Sequence, residues 1–368
     1  MKGTSTLRIG LIYETFETYP QRPRDPVDAH VEFEPESTIE ALEAAILHIG
    51  HHPVRLGSPM DLLTRIGSGQ SLEVDAAFNL AEGFGGRNRE AWAPVLLEMS
   101  GIPTIGSDAL SLSLSLDKCW ANRWLAQAGI PVAAQSSIAA PDEVAEMTLP
   151  ASFPLFVKPR WEGTAKGIRP SSRVDSRAAL IREVERIVSD YHQPALVEAF
   201  IPGAEYTVTL VGNDPPRAFP VLQRALERQT GIGLHALEGP ELAGDQGAGD
   251  DPGLGLNLDH NLDHRTEGIL TPELEARLAE LSIRAFEALG CHDFARVDFK
   301  LDATGEPVFL EINPLPTFAT DGSFGILAEL EGCSLSEMLG RCVAAGLERL
   351  GLDAALDPQA KKETDRHE

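Results

Sequence analysis

Two runs near the C-terminal end of the chain, "ARVDFKLD" (295–302) and "FLEINPLP" (309–316), constrain the fold more than any other part of the sequence. Each alternates apolar and polar residues in the manner of a strand, and Asp302, Thr304 and Gly305 between them make a turn. Residues two apart in an extended chain face the same side, so Arg296 and Asp298 stand together, as do Glu311 and Asn313. Pro314 and Pro316 then end the second strand, because proline donates no ladder hydrogen bond. A hairpin therefore gathers Asp298, Glu311 and Asn313, a set of hard oxygen ligands suited to magnesium. That ion takes one or two protein carboxylates and completes its shell with substrate phosphates.

The chain is long enough for that hairpin to be one part of two or three domains, at 368 residues with 43% hydrophobic and 24% charged. A net charge of −25 argues against a nucleic-acid partner, since phosphate backbones need basic surface. Cys119, Cys291, Cys333 and Cys342 show no metal or redox spacing and read as reduced thiols. The apolar run near the N-terminus is too short for a secretion signal, and no stretch has the roughly 20 apolar residues of a membrane span. The expectation is a soluble cytoplasmic protein with neither a membrane nor a nucleic-acid partner.

Upstream, strand and helix patterns alternate. Strands are expected at 7–13, 74–81 and 102–107, with helices at 36–50 and 89–101 between them, which implies a parallel sheet with crossover helices. A helix over 117–132 leads into an antiparallel-leaning section with strands at "FPLFVKPR", "ALVEAFI" and "EYTVTLVG" and a helix at about 176–192. Thr271, Pro272 and Gly290 bound a helix over 271–290. Two segments have no period: the proline-rich 19–35, in a place where α/β folds hold ligands, and the acidic, glycine-rich 238–268. Residues 351–368 read as a flexible tail.

A phosphate site is suggested at "LFVKPRWEGTAKGI" (155–168), where Lys158 leaves a strand into a loop carrying Gly163, Thr164 and Gly167. Glycines let backbone N–H groups approach an anion, although the spacing matches neither a Walker A motif nor a dinucleotide fingerprint. Further on, Glu198 ends one strand and Glu205 begins the next across the Pro202–Gly203 turn, placing acids where an adenine and a ribose would find them.

Taken in order, these motifs resemble the ATP-grasp superfamily, and within it the D-alanine–D-alanine ligase family as a divergent member, over about residues 7–350. The resemblance is carried by "AEGFGGRNREAWAPVLLEMSGIPTIGS" with the following "LDK", by "FVKPRWEGTAKGI", and by "RVDFKLDATGEPVFLEINPLP". It implies an N-terminal parallel α/β domain (1–116) and two α+β lobes (117–207 and 208–350) that clamp ATP. It also implies an ATP-dependent carboxylate–amine ligase working through an acyl phosphate on amino-acid or small-peptide substrates. Lys118 and Lys158 would contact phosphates, together with the loop of Gly163, Thr164 and Gly167. Glu198 with the backbone of Ala199 to Ile201 would hold adenine, and Glu205 the ribose. Asp298, Glu311 and Asn313 would bind two magnesium ions, manganese being an acceptable substitute, and Arg296 would stabilise an oxyanion. A homodimer is left open.

The amino-acid end departs from that family. The stretch after the first strand lacks paired glycines, leaving Glu34 or Glu36 as its acid. "AEGFGGRNRE" lacks the family's His and Asp-Gly; its Glu82, Arg87 and Arg89 suggest that Arg87 or Arg89 meets an acidic or polar group on a substrate larger than alanine. The lid lysine has only Arg228 as a weak substitute, and the second-substrate serine falls near Ser323, one residue off. Two alternatives stand beside a ligase of different substrate: a genuine D-alanine–D-alanine ligase of peptidoglycan precursor synthesis, and a non-catalytic nucleotide-binding protein. If residues 161–168 form a lid over phosphates, their amides exchange faster without nucleotide than with ATP and magnesium. Equal hydrogen-exchange protection in both states would remove the lid.

Overall fold

The computed structural model describes residues 6–352 except 21, 24, 227–229 and 234–269. The expectations for Arg228, the 238–268 segment and most of the 351–368 tail thus lie outside the described residues.

The first sheet is built from β1 (Arg8–Ile12), β2 (His52–Gly57), β3 (Ala76–Asn79) and β4 (Thr104–Ile105), parallel throughout in the order β2-β1-β3-β4. β1 and β3 read as unbroken apolar runs because both faces are covered. Helices α1 (Glu36–His48), α2 (Pro59–Gly67) and α3 (Trp92–Met99) make the crossovers. The sequence reading passed over β2 and α2. A signal for α2 was present: Ser58 caps the helix by accepting from the Asp61 N–H, and Pro59 occupies its first turn. β2 carries half-exposed and polar residues and lacks the apolar run that marks its neighbours.

After α4 (Ala109–Leu116) and α5 (Lys118–Gln127) comes the second sheet, of β5 (Gln135–Ile138), β6 (Leu155–Pro159), β7 (Arg173–Val174) and β8 (Ala195–Ala199), antiparallel in the order β5-β8-β6-β7. Its apolar face is covered by α6 (Glu143–Glu146) and α7 (Arg177–Tyr191), whose Leu180, Val184 and Ile187 pack on Leu155, Val157 and Val197.

The third sheet holds β9 (Glu205–Val211), β10 (Arg217–Ala218), β11 (Leu222–Arg224), β12 (Phe294–Leu301) and β13 (Pro307–Asn313), in the order β10-β9-β12-β13 with β11 also on β9. The expected hairpin is β12–β13, and its turn is held by the Asp302 carboxylate accepting from the Thr304 and Glu306 N–H groups. Tyr206, Val208, Val297, Phe299 and Ile312 point to one face and pack on α8 (Pro272–Ala288). Gly203, just before β9, lies so close to its neighbour that a Cβ there would meet the Leu301 carbonyl oxygen at 2.4 Å. A boundary at 207/208 is therefore wrong by a few residues: it would cut β9, which pairs with β12 along its length.

The last helices, α9 (Ser323–Glu331) and α10 (Leu335–Arg349), depart from a strictly sequential layout. Leu327, Met338, Leu339 and Val343 share one core with Ile9, Leu11 and Phe78 of the first sheet and Ile39 of α1. Asp293, fully buried, fixes this union. Its carboxylate accepts from the Gly106 N–H at 2.7 Å, from Arg349 Nε and Nη2 at 2.7 Å each, and from Asn213 Nδ2 at 3.1 Å. No helix among the described residues is long and apolar enough to cross a membrane. Removing the acid leaves the buried Gly106 N–H and the partly buried Arg349 guanidinium without their acceptor, so Asp293→Ala is expected to cost about 2–3 kcal/mol. A urea midpoint within experimental error of the parent would contradict this hub.

Candidate active site

Alternation along the third sheet puts its polar side chains on the face opposite the core, where they line a cavity of about 640 Å³. Asp298 is the register partner of Glu311, and Arg296 of Asn313, so the four share one surface. Thr207 and Glu205 of β9 continue it beside Asp298 and Lys300. Arg296 Nη2 lies 3.2 Å from the Asp298 carboxylate, whose other oxygen accepts from the Thr207 hydroxyl.

Lysines reach this surface from the other elements. Asp117 caps α5 and places Lys118 at its first turn, from which Nζ lies 3.3 Å from Glu311 and donates to the Glu162 carbonyl. Lys158 on β6 lies 2.8 Å from Glu198 on β8, its near neighbour across the ladder. Burial alone would raise the Glu311 pKa, but the charges of Lys118, Lys158 and Arg296 outweigh it and hold the carboxyl at about 2. Glu311 is therefore ionised at any working pH. Glu205, without so dense a cationic surround, is pushed up to about 7 by burial, with Lys300 opposing.

Among the described residues no cluster of three or more Asp, Glu, His or Cys forms a self-sufficient metal site. The set present is two carboxylates and an amide on one face, which suits an ion that draws its remaining oxygens from a phosphorylated substrate. The residues fit magnesium on those terms.

The glycine loop crosses the cavity from the second sheet. Thr164, Ala165 and Gly167 have φ of 46°, 57° and 76°, and a Cβ on Gly167 would fall 2.5 Å from the Pro159 ring. In this structure the loop's donors are engaged by the 19–35 connection. The Gly163 N–H donates to Glu32 at 2.7 Å and the Gly167 N–H to Asp28 at 2.8 Å, while Tyr191 Oη donates to the same Asp28. Lys166 Nζ donates to Glu32 at 2.9 Å and pairs with Glu162 at 2.6 Å.

Of the residues expected from sequence, Lys118, Lys158, Thr164, Glu198, Ala199, Ile201, Glu205, Arg296, Asp298, Glu311, Asn313 and Ser323 line the cavity. Gly163 borders a smaller hollow that shares Lys118 and Thr164 with it, and Gly167 sits behind the loop. Ser323 opens α9, so its amide is among the unpaired donors of a helix N-terminus. Glu34 also lines the cavity, with its carboxylate held by the Thr38 hydroxyl and the Phe318 N–H, whereas Glu36 pairs outside with Arg55.

The arginine expectation is not met. Arg89 is 1% exposed and occupied, with Nη2 2.8 Å from Glu32 and 3.3 Å from Glu162, and Nη1 donating to the Trp161 carbonyl. Arg87 is half exposed, 3.6 Å from Asp117. Neither lines the cavity. A buried guanidinium needs carboxylates, and the acids that surround Arg89 come from segments 57 and 73 positions away, a long-range fact that local pattern does not carry. Sequence reasoning also missed Lys300, two residues beyond Asp298 and therefore on the same face, and Arg224, which lines the cavity from β11.

A parallel α/β unit followed by two antiparallel sheets facing a common polar cavity defines an ATP-grasp protein. A family model described as D-ala D-ala ligase C-terminus matches residues 124–231 and 257–344. A D-alanine–D-alanine ligase of Desulforudis audaxviator is 31% identical over 69% of this chain and 76% of its own. An uncharacterised protein of Sinorhizobium fredii is 30% identical over 90% of this chain and 91% of its own. Among solved structures, the D-alanine–D-alanine ligase of Bacillus anthracis complexed with ATP aligns with a TM-score of 0.63 at 20% identity, covering 93% of this chain and 98% of that one. The chain belongs to the D-alanine–D-alanine ligase family and is an ATP-dependent carbon–nitrogen ligase.

Glu311→Ala removes a cavity carboxylate and no core side chain. Phosphate release is expected to fall more than tenfold, over about 1.4 kcal/mol of barrier, with the fold intact by circular dichroism. Turnover above a tenth of the parent's would sink the metal assignment.

Proposed function

We propose that this protein activates a carboxylate with ATP and joins it to an amine, on amino-acid or small-peptide substrates other than two D-alanines. The observation that carries the reading is the shared face of Arg296, Asp298, Glu311 and Asn313, met by Lys118 and Lys158 across one cavity. In this reading Lys118 and Lys158 contact the phosphates, and Glu198 with the Ala199–Ile201 backbone holds adenine. Glu205 takes the ribose. Asp298, Glu311 and Asn313 hold two magnesium ions, which when bound neutralise charge on the phosphate oxygens. Arg296 stands where an oxyanion would develop as the amine attacks the acyl phosphate. Ser323 and the α9 N-terminus face the second substrate. The glycine loop and the 19–35 connection exclude water, which would otherwise hydrolyse the acyl phosphate.

The substrate end supports a change of substrate. Glu82 lines the cavity there, and its carboxylate makes no hydrogen bond or ion pair with any described residue. Burial, then the neighbouring charges of Glu90 and Glu32, raise its pKa well above the ordinary carboxylate value. A carboxyl so placed suits a substrate ammonium, whereas Arg89, the guanidinium of that region, is already spent on Glu32 and Glu162.

The relatives named D-alanine–D-alanine ligases keep a second reading in view, in which this chain makes the same dipeptide. Incubation with ATP, magnesium and pools of D- and L-amino acids, with phosphate release as readout, separates the two. Release with pools lacking D-alanine is the expected result; release with D-alanine alone selects the second reading. Nucleotide binding without release in any pool would overturn both.

A further inference from the structure

Among the described residues six cations line the cavity: Lys118, Lys158, Lys166, Arg224, Arg296 and Lys300. Five have an oxygen partner. Lys118 meets Glu311, Lys158 meets Glu198, Lys166 meets Glu32, Arg296 meets Asp298, and Lys300 donates to the Gly231 carbonyl at 2.6 Å. Arg224 is the exception. Its guanidinium makes no hydrogen bond or ion pair with any described residue.

Register fixes where it points. Arg224 pairs with Glu205 in the β11–β9 ladder, so its side chain rises on the same face as Glu205, Thr207, Asp298 and Arg296. Although Glu205 is its partner in register, the charges of Arg296 and Asp298 act on Arg224 more strongly than that of Glu205. The guanidinium thus shares one cavity wall with Arg296 and Asp298, with β9 between its own strand and theirs. Burial first, then repulsion from Arg296, disfavours its charged form. Two guanidiniums that repel each other beside Asp298 and Glu311 are relieved by an anion between them. A planar fork grips a phosphate through two parallel N–H donors.

We infer that Arg224 is a substrate-contacting residue that grips the terminal phosphoryl group of ATP during transfer. The inference rests on the ligase reading above. In the step it serves, a substrate carboxylate oxygen forms a bond to the γ-phosphorus while the bond from that phosphorus to the β–γ bridging oxygen breaks. ADP leaves with the electron pair and no proton moves. Arg224 neutralises the equatorial oxygens from the side opposite Lys118 and Lys158.

The test compares Arg224→Gln and Arg224→Lys with the parent for kcat, for the KM of the carboxylate substrate, and for calorimetric binding of ADP and of a non-hydrolysable ATP analogue. A lost donor at a developing charge is expected to lower kcat of Arg224→Gln about 100-fold or more. The preference for the ATP analogue over ADP is expected to collapse while ADP binding stays within about threefold, with Arg224→Lys intermediate in both. Binding is read without turnover, so it stands even if no substrate pool supports release, which separates failure here from failure of the ligase reading. Equal weakening of ADP and the ATP analogue would place Arg224 at the ribose or in the scaffold and overturn the inference. A rise confined to the KM of the carboxylate substrate would assign the guanidinium to that substrate instead, also overturning it. Should Arg224→Gln fail to fold, Arg224→Lys carries the same comparison, and parent-like nucleotide preference and kcat in it would overturn a geometric role for the fork.

Discussion

The two-residue period of the third sheet is the constraint on which the rest depends. With Tyr206, Val208, Val297 and Phe299 committed to the core, Glu205, Thr207, Asp298 and Lys300 have to face the other way. Sliding β12 by a single residue would bury Asp298 in hydrocarbon, and sliding β13 would bury Glu311, at a cost of several kcal/mol for each uncompensated ion. The same apolar burial that stabilises the sheet thus fixes the register of the catalytic face. Charge is then matched locally: Lys118 against Glu311, Lys158 against Glu198, Arg296 against Asp298. Each pair balances a charge that burial alone would disfavour.

Closure of the cavity follows from a second kind of complementarity. Asp28 and Glu32 come from the connection after the first strand of the chain, yet they accept from Gly163, Gly167 and Lys166 of a loop on another sheet. The loop's left-handed residues aim backbone N–H groups outward, and an acid from the neighbouring unit satisfies them. Arg89 sits behind this contact and neutralises Glu32 and Glu162 together, so the surplus acid is balanced without a solvent-exposed cation. Asp293 does the equivalent for the opposite side, tying α10, the end of β3–β4 and the β9–β10 turn to one buried carboxylate.

What could be read from the sequence was what is local. The hairpin was visible because alternation, turn residues and terminating prolines all lie within about twenty positions, and the paired acids follow from the period alone. Lys158 and its glycines, Glu198 and Glu205 were visible for the same reason. The strand β2 was not, since His52, Pro53 and Arg55 break the apolar run that marks its neighbours. Nor was the docking of α9 and α10 onto the first sheet, where Phe318 and Phe324 stack at 4.9 Å and meet Phe78 and Phe294. Amphipathic helices announce that they have a partner and not which one. Arg89 reads in sequence as free to meet a substrate because the carboxylates that occupy it are distant along the chain. Arg224 carries no motif, and its place on the polar face shows only in the β11–β9 register.

The two ends of the cavity evolve under different physical limits. On the third-sheet side of the cavity the polar groups hang from strands whose other face is core, so moving one of them means moving a sheet. On the other side the groups hang mostly from connections: Glu32 and Glu34 from the stretch before α1 and Glu82 from the turn after β3, with Ser323 on the first turn of α9. Connections of this kind change composition and length without disturbing the layers beneath them. A polar swap at Glu82 changes the lining of the cavity but leaves the Asp298–Glu311 register untouched. The departures of this chain from the family pattern, after β1 and after β3, thus fall on connections and not on the strands of the third sheet, even though Glu32 there is itself held by the buried Arg89.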